Sequence, residues 1–96
     1  MELESILKTR REQILVTARK HGAYDVRVFG SLARGEARPD SDVDFLVKLE
    51  AGRSLLDLAR LLRELQMLLG MNVDVVTEAG LRPRIRAQVL KEARPI

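Results

Sequence analysis

The stretch that decides the fold is GSLARGEARPDSDVDFLV, residues 30–47 of a 96-residue sequence. Gly30-Ser31 interrupts the preceding stretch, which contains β-branched residues and is predicted to be a strand. Only about one helical turn fits between this pair and Gly35. Arg38-Pro39-Asp40-Ser41 has the composition of a turn. From Val43 to Leu49 the chain is apolar on both faces of a strand, which predicts a central position in a sheet.

The segments on either side of this stretch predict helices and strands by their apolar spacing. They are a helix from Glu2 to His21 that ends at Gly22, a strand from Tyr24 to Phe29, a helix that Ser54 opens and that runs to Leu69, a strand from Asn72 to Val76, and a helix from Leu81 to Ala93. In the helix that Ser54 opens, Asp57 completes an approximate capping box and Gly70 marks the end. Its apolar stripe is Leu55, Leu58, Leu62, Leu65 and Leu69. The strand–helix–strand unit between Val43 and Val76 predicts parallel strands, whereas the first strand is linked too closely to the second for a crossover. We therefore expect an α/β (α+β-like) fold with a small mixed β-sheet of three to four strands, as a single domain over residues 1–96.

The composition excludes several classes of site. There is no cysteine and His21 is the single histidine, so thiolate zinc sites, a cysteine nucleophile and a histidine metal cluster are all excluded. With only three aromatic residues, a base-stacking platform for single-stranded nucleic acid is disfavoured. Because the start lacks the pattern of a signal peptide and no long apolar run follows, we expect a cytoplasmic protein.

Three aspartates carry the first chemical signal. Asp42 and Asp44 are two residues apart on a predicted strand, so their side chains should project from one face. Asp74 lies within an apolar strand, where a carboxylate is costly unless it is paired or binds a metal. Magnesium prefers such oxygen ligands together with substrate phosphates. The alternatives are a solvated strand end for Asp42 and Asp44, and an edge-strand position facing water for Asp74.

The second signal is a phosphate-binding pattern at the same end of the sheet. Gly30 ends a strand and lets the backbone approach an anion, and free N–H groups at the helical start that follows favour a phosphate there. The Ser31 hydroxyl adds a donor, and Arg34 could reach a phosphate as a bidentate donor. A glycine–serine pair alone is usually only a turn, so the weight lies in its occurrence together with the aspartates.

Residues 30–47 resemble the signature of the polymerase-β-type nucleotidyltransferase superfamily, and more narrowly that of the minimal nucleotidyltransferases. The resemblance extends to Asp74 as the third acid and to the last helix. It implies two magnesium ions, with manganese as the alternative, and ATP as the nucleotide substrate. The implied catalytic and metal-binding residues are Asp42, Asp44 and Asp74, and the implied nucleotide-binding residues are Gly30, Ser31, Arg34 and Ser41. Leu32 departs from the polar or larger residue that is common in relatives, which could affect nucleotide fit.

The resemblance also implies a partner. Minimal nucleotidyltransferases of this kind are typically paired with a small helical toxin of the HEPN type, and the implied reaction is AMP transfer onto a tyrosine hydroxyl of that toxin. The chain would then be an antitoxin of a toxin–antitoxin system.

Two other functions stay open at this point. The first is a catalytically silent module that neutralises a partner by contact, for which the leucines of the helix opened by Ser54 could supply an interface; covering the sheet is their simpler role. The second is nucleotide transfer to an RNA end or a small molecule. Arg82, Arg84 and Arg86 make the last helix basic, which suits RNA or an acidic partner face, although a solvated helix face is the simpler explanation.

Overall fold

A computed structural model describes residues 3–36, 38 and 42–96 of the chain. Its elements are, in order, α1 (Leu3–Lys20), β1 (Ala23–Phe29), β2 (Val43–Leu49), α2 (Leu55–Leu69), β3 (Val73–Thr77), a 3₁₀ turn (Glu78–Gly80), α3 (Pro83–Glu92) and β4 (Arg94–Pro95). This is the mixed α/β fold that the sequence predicts, and the predicted bounds differ from the observed ones by at most two residues. In the described part of the chain, no helix combines the length and hydropathy that crossing a bilayer requires.

The four strands form one sheet in the order β3-β2-β1-β4. β2 is central, pairing antiparallel with β1 and parallel with β3, as predicted. β4 was not located from the sequence. It pairs antiparallel with β1, where Arg94 lies opposite Val28 and Pro95 opposite Arg27. A two-residue strand carries no periodicity, and a proline is tolerated there because the strand lies at the sheet edge.

The main core lies between one face of the sheet and the helices α1 and α2. Val43, Phe45 and Val47 alternate along β2 and are almost completely buried on this face. α2 covers them with Leu61, Leu65 and Leu69. The predicted apolar stripe of α2 is confirmed from Leu58 onward, but Leu55, the first residue of the helix, stays 80% exposed. The leucines of α2 therefore serve mainly to cover the sheet.

Local caps fix where the helices begin and end. Ser54 is the N-cap of α2 and accepts from the Leu56 N–H, while the Asp57 carboxylate accepts from the Ser54 N–H at 2.9 Å, completing the predicted capping box. After α1, Gly22 adopts a left-handed conformation with φ 77°. His21, at the same point, contacts Glu64 of α2. This histidine lies at the end of β1 opposite to Gly30 and has a structural role.

The other face of the sheet is only partly covered, by α3. A small second cluster forms there from Leu46 of β2, Leu81 and Val89, with Phe29 and Val76 packed against it. The side chains at the starts of β2 and β3 on this face, those of Asp44 and Asp74, lie outside this cluster. The fold thus leaves one end of one sheet face open.

Candidate active site

Two of the predicted aspartates are neighbours on adjacent strands. β2 and β3 pair in a register that places Asp44 directly beside Asp74. Side chains alternate along a strand, so both carboxylates point to the face that α3 partly covers. Asp44 is half-buried and Asp74 is exposed. The parallel pairing predicted from the βαβ unit is what brings residues thirty positions apart in sequence together.

Contrary to the prediction, Asp42 lies just before the strand and not on it. β2 begins at Val43, and the Asp42 side chain is exposed. Its charge still acts on its neighbour, because Asp42 is one of the groups that raise the pKa of Asp44. The structure therefore brings the three predicted acids to one end of the sheet, with only two of them in the ladder.

The three carboxylates have little compensation from nearby cations. Partial burial, followed by the charges of Asp74 and Asp42, raises the pKa of Asp44 above its ordinary value, and Arg34 offsets part of this. Across residues 3–36, 38 and 42–96, none of the three aspartates takes part in a hydrogen bond or an ion pair. Three like charges with unused oxygen lone pairs are destabilising in themselves and attract a cation.

The predicted phosphate-binding turn lies against these acids. Phe29 ends β1 directly opposite Asp44. Gly30 follows with φ 73°, and a Cβ atom added there would overlap the Asp44 carboxylate. Glycine is thus required at this position both by the backbone conformation and by the close approach of the carboxylate.

A single helical turn follows Gly30, as the sequence predicts. The Arg34 N–H donates to the Gly30 carbonyl at 3.1 Å, and Gly35 closes the turn with φ 74°. The Glu36 N–H bonds the Ser31 carbonyl at 2.8 Å and the Gly35 N–H bonds the Leu32 carbonyl at 3.1 Å, which is the Schellman pattern of a helix end. The N–H groups at the start of this turn have no acceptor within it and suit an anion.

Comparison with known proteins now decides the family, because residues 10–96 match the nucleotidyltransferase domain. The chain belongs to this family. It is 42% identical to the protein adenylyltransferase MntA of Thermococcus cleftensis over 91 residues, which cover 95% of this chain and 89% of MntA. The predicted enzyme class, a nucleotidyltransferase, is confirmed.

Two solved structures share the fold of this nucleotidyltransferase. A protein described as a minimal nucleotidyltransferase is 59% identical, superposes with a TM-score of 0.86, and is matched over 100% of this chain and 97% of its own. A chain of a toxin–antitoxin complex with AMP-PNP superposes with a TM-score of 0.74 at 21% identity. The match covers 88% of this chain and 69% of the chain from the complex. The first structure confirms the resemblance to the minimal nucleotidyltransferases. The second, at 21% identity, shows only that the fold is shared.

Arg34 of the nucleotidyltransferase is engaged by acidic side chains. Its Nε donates to Glu36 at 3.2 Å and its Nη1 to Glu92, the last residue of α3, at 3.3 Å. The hydrogen bond to Glu36 is the largest cause that raises the pKa of Arg34. A phosphate would have to compete with both carboxylates for this guanidinium. Sequence reasoning missed Glu92, since nothing in a helical charge pattern reveals a contact 58 residues away.

Leu32 and Ser41 are the two other residues that the sequence links to the nucleotide, and the structure describes only Leu32. The Leu32 side chain is 1% exposed and belongs to the main core, so it does not face a nucleotide. The Leu32 carbonyl accepts from Arg94 Nη2 at 3.2 Å as well as from the Gly35 N–H. Ser41, the remaining predicted nucleotide-binding residue, lies outside the described residues, as does most of the predicted turn before Asp42.

The donor set fits a hard divalent cation. Magnesium takes oxygen ligands, usually from one or two carboxylates together with substrate phosphates, and Asp44 and Asp74 supply unpaired carboxylates side by side. In the described part of the chain, no group of three or more such side chains converges as a finished ligand set. Asp42 stands outside the ladder and like charges repel, so a closed three-aspartate cage is not preformed.

Proposed function

We propose that this nucleotidyltransferase transfers AMP from ATP to a tyrosine hydroxyl of a HEPN-type toxin and thereby acts as an antitoxin. The observation that carries the proposal is the pair Asp44–Asp74, side by side on an open sheet face against the Gly30 turn. This pair occurs in a chain 42% identical to the protein adenylyltransferase MntA.

The acids have distinct roles in this proposal. Asp42 and Asp44 hold two magnesium ions, or manganese ions in their place, and Asp74 holds one of them. Such ions, when bound, neutralise phosphate charge and clamp the attacking and leaving oxygens of an in-line displacement. Asp74, on the exposed side of the pair, accepts the proton of the incoming hydroxyl. The tyrosine oxygen bonds to the α-phosphorus, the bond from the α-phosphorus to the bridging oxygen breaks, and pyrophosphate leaves.

The turn after β1 positions the donor. The backbone N–H groups at its start and the Ser31 hydroxyl bind the β- and γ-phosphates, with Gly30 allowing the approach. Arg34 adds a cationic donor once phosphate displaces Glu36 or Glu92 from its guanidinium. Ser41 is proposed as a further nucleotide contact. Binding and cleavage groups meet because the Gly30 backbone abuts the Asp44 carboxylate.

A toxin as acceptor is supported by the relatives. The chain has the fold of a solved toxin–antitoxin complex with AMP-PNP and of MntA–HpeT toxin–antitoxin complexes. AMP-PNP is an ATP analogue, which agrees with an adenine nucleotide as donor. The tyrosine acceptor and the HEPN type of the toxin follow from the resemblance of residues 30–47 to the minimal nucleotidyltransferases.

The test is intact-mass analysis of the purified nucleotidyltransferase incubated with a co-expressed HEPN-type toxin, ATP and magnesium. We expect an adduct of AMP on the toxin, absent with Asp44→Asn and absent when the acceptor tyrosine is changed to phenylalanine. Asp25→Asn, which removes an exposed aspartate from the other end of β1, is the matched control and should retain transfer.

A stable complex without any adduct would contradict the enzyme and favour neutralisation by contact. The same assay with labelled ATP and an RNA oligonucleotide in place of the toxin tests the other alternative, nucleotide transfer to an RNA end. Incorporation of label into RNA and not into the toxin would replace the protein acceptor with an RNA end.

A further inference from the structure

The outer surface of α3 is a charged patch that the fold does not use. We define the α3 surface as residues 82–88, all of which are exposed. Arg82, Arg84 and Arg86 form no ion pair or side-chain hydrogen bond within the described residues. Arg27 and Arg53 are held by carboxylates, whereas Arg19, Arg60 and Arg63 are likewise unpaired in the described chain but are spread over α1 and α2. Three cations within five residues and without counter-charges repel one another and favour an anionic partner.

The only acid of α3 does not relieve this repulsion. Glu92 lies at the far end of the helix and already accepts from Arg34 and from Gln88 Nε2. Residues 82–91 carry three arginines and Lys91 with no acid among them. The positive charge of the α3 surface is therefore available to a second molecule.

The position of the α3 surface links it to the candidate active site. Val89 and Leu81 pack against Leu46, which lies on the same face of β2 as Asp44, two residues further along the strand. α3 therefore lies on the sheet face that carries the aspartates. The α3 surface belongs to the first part of this helix, whereas its last residue, Glu92, contacts Arg34 of the turn after Gly30. A molecule bound on the α3 surface would therefore reach the site of nucleotide transfer by extending along α3.

We propose that the α3 surface is the docking site for an acidic surface of the acceptor protein; this inference rests on the proposed function. Charge complementarity to three unpaired arginines selects an anionic partner. Ile85, 45% exposed among them, adds an apolar contact of the kind that protein interfaces use together with arginine.

Nucleic acid fits the α3 surface less well. Single-stranded binding sites combine cations with aromatic rings on which bases stack. Phe45 is completely buried and Phe29 packs beneath α3, while Tyr24 lies at the end of β1 away from Gly30. No aromatic ring in the described chain therefore accompanies the arginines.

The test uses two labelled peptides, one with a tyrosine flanked by glutamates and one with the tyrosine flanked by glutamines. At low salt, fluorescence anisotropy should show wild type binding the glutamate peptide at least about tenfold more tightly. The triple variant Arg82→Ala/Arg84→Ala/Arg86→Ala should lose this preference. The matched control Arg19→Ala/Arg60→Ala/Arg63→Ala removes three exposed arginines from α1 and α2, on the opposite side of the sheet, and should keep it.

Thermal stabilisation and binding are measured on the wild type and on both triple variants. Thermal stabilisation by magnesium and ATP should be the same in both triple variants, which shows that the fold and the nucleotide site are intact. Equal loss of peptide binding in both variants, or no preference for glutamate in wild type, would overturn the docking site. Tighter binding of a uridine oligonucleotide of equal charge through the same arginines would replace the protein partner with RNA.

AMP transfer to the peptides separates this inference from the proposed function. If the glutamate peptide binds through α3 but no tyrosine receives AMP, the docking site stands and the proposed function fails. If both peptides receive AMP with equal kcat/KM, the proposed function stands and the docking site fails.

Discussion

At the scale of single residues, Asp44 links the fold to the proposed chemistry. It stands opposite Phe29 on one side and beside Asp74 on the other, with Gly30 against its carboxylate. The pKa of Asp44 is raised mainly by burial and by the like charges of its neighbours. The surroundings that would attract magnesium therefore lower the free energy of unfolding of the metal-free protein. A carboxylate placed at such a cost is better explained by a ligand than by packing.

Replacing Asp44 by asparagine should therefore stabilise the metal-free fold while abolishing transfer. With EDTA at neutral pH, we expect about 0.5–1 kcal/mol of added stability in urea unfolding, because one of three like charges is removed under solvent screening. Transfer activity should fall by about a thousandfold. A variant that is less stable than wild type, or that retains activity, would contradict the role of this carboxylate.

The stability gain of Asp44→Asn should depend on pH in a defined direction. In the unfolded chain Asp44 ionises near its ordinary pKa of 3.8, and in the folded chain it ionises at a higher pH. The contribution of Asp44 is thus fully present below 3.8 and is lost as the pH rises through the folded pKa. Urea titrations should show wild type and variant converging at acid pH and separating toward neutrality; a constant difference would contradict this cause.

Gly30→Ala tests the close approach of the turn to the acids. An alanine with positive φ costs about 1–2 kcal/mol wherever it stands, and here its Cβ would also displace the Asp44 carboxylate. Gly52→Ala is the control, since Gly52 has φ 87° but open space around the added Cβ. Both variants should lose stability, whereas only Gly30→Ala should lose more than about tenfold in transfer activity. Equal activity in the two variants would rule out a positioning role for Gly30.

At the scale of elements, the sequence predicts most of this molecule. The Ser54–Asp57 box, Gly22 and Gly70 mark helix boundaries by local chemistry, and each lies where expected. The parallel β2–β3 pair follows from the chain length between its strands, and it brings Asp44 beside Asp74. Local signals suffice wherever an element is set by its own residues.

The capping box offers a prediction confined to one element. Ser54→Ala removes the hydroxyl that accepts from the Leu56 N–H and should cost about 1 kcal/mol, or about 4–8 °C in Tm for a domain of this size. The box lies at the end of β2 remote from Asp44, so affinity for magnesium and ATP should not change. Calorimetry with and without nucleotide checks both; an altered nucleotide affinity would show that α2 is coupled to the site.

At the scale of the whole molecule, the features that the sequence did not reveal are those made by distant segments. β4 forms because Arg94 and Pro95 pair with β1, and a strand of two residues has no local sequence pattern that would predict it. The pairing of Arg34 with Glu92 joins the turn after β1 to the end of α3. Such contacts depend on how α3 crosses the sheet, which periodicity within α3 does not determine.

The whole molecule places the acids, the Gly30 turn and the α3 surface around one open sheet face, and the central claim is that this face binds a metal–nucleotide complex. The most direct measurement is calorimetric titration of the protein with a non-hydrolysable ATP analogue, with magnesium or with EDTA. We predict binding only with magnesium, and its loss in Asp44→Asn and Asp74→Asn but not in Ser54→Ala. Equal affinity with EDTA, or unchanged affinity in both aspartate variants, would contradict the claim.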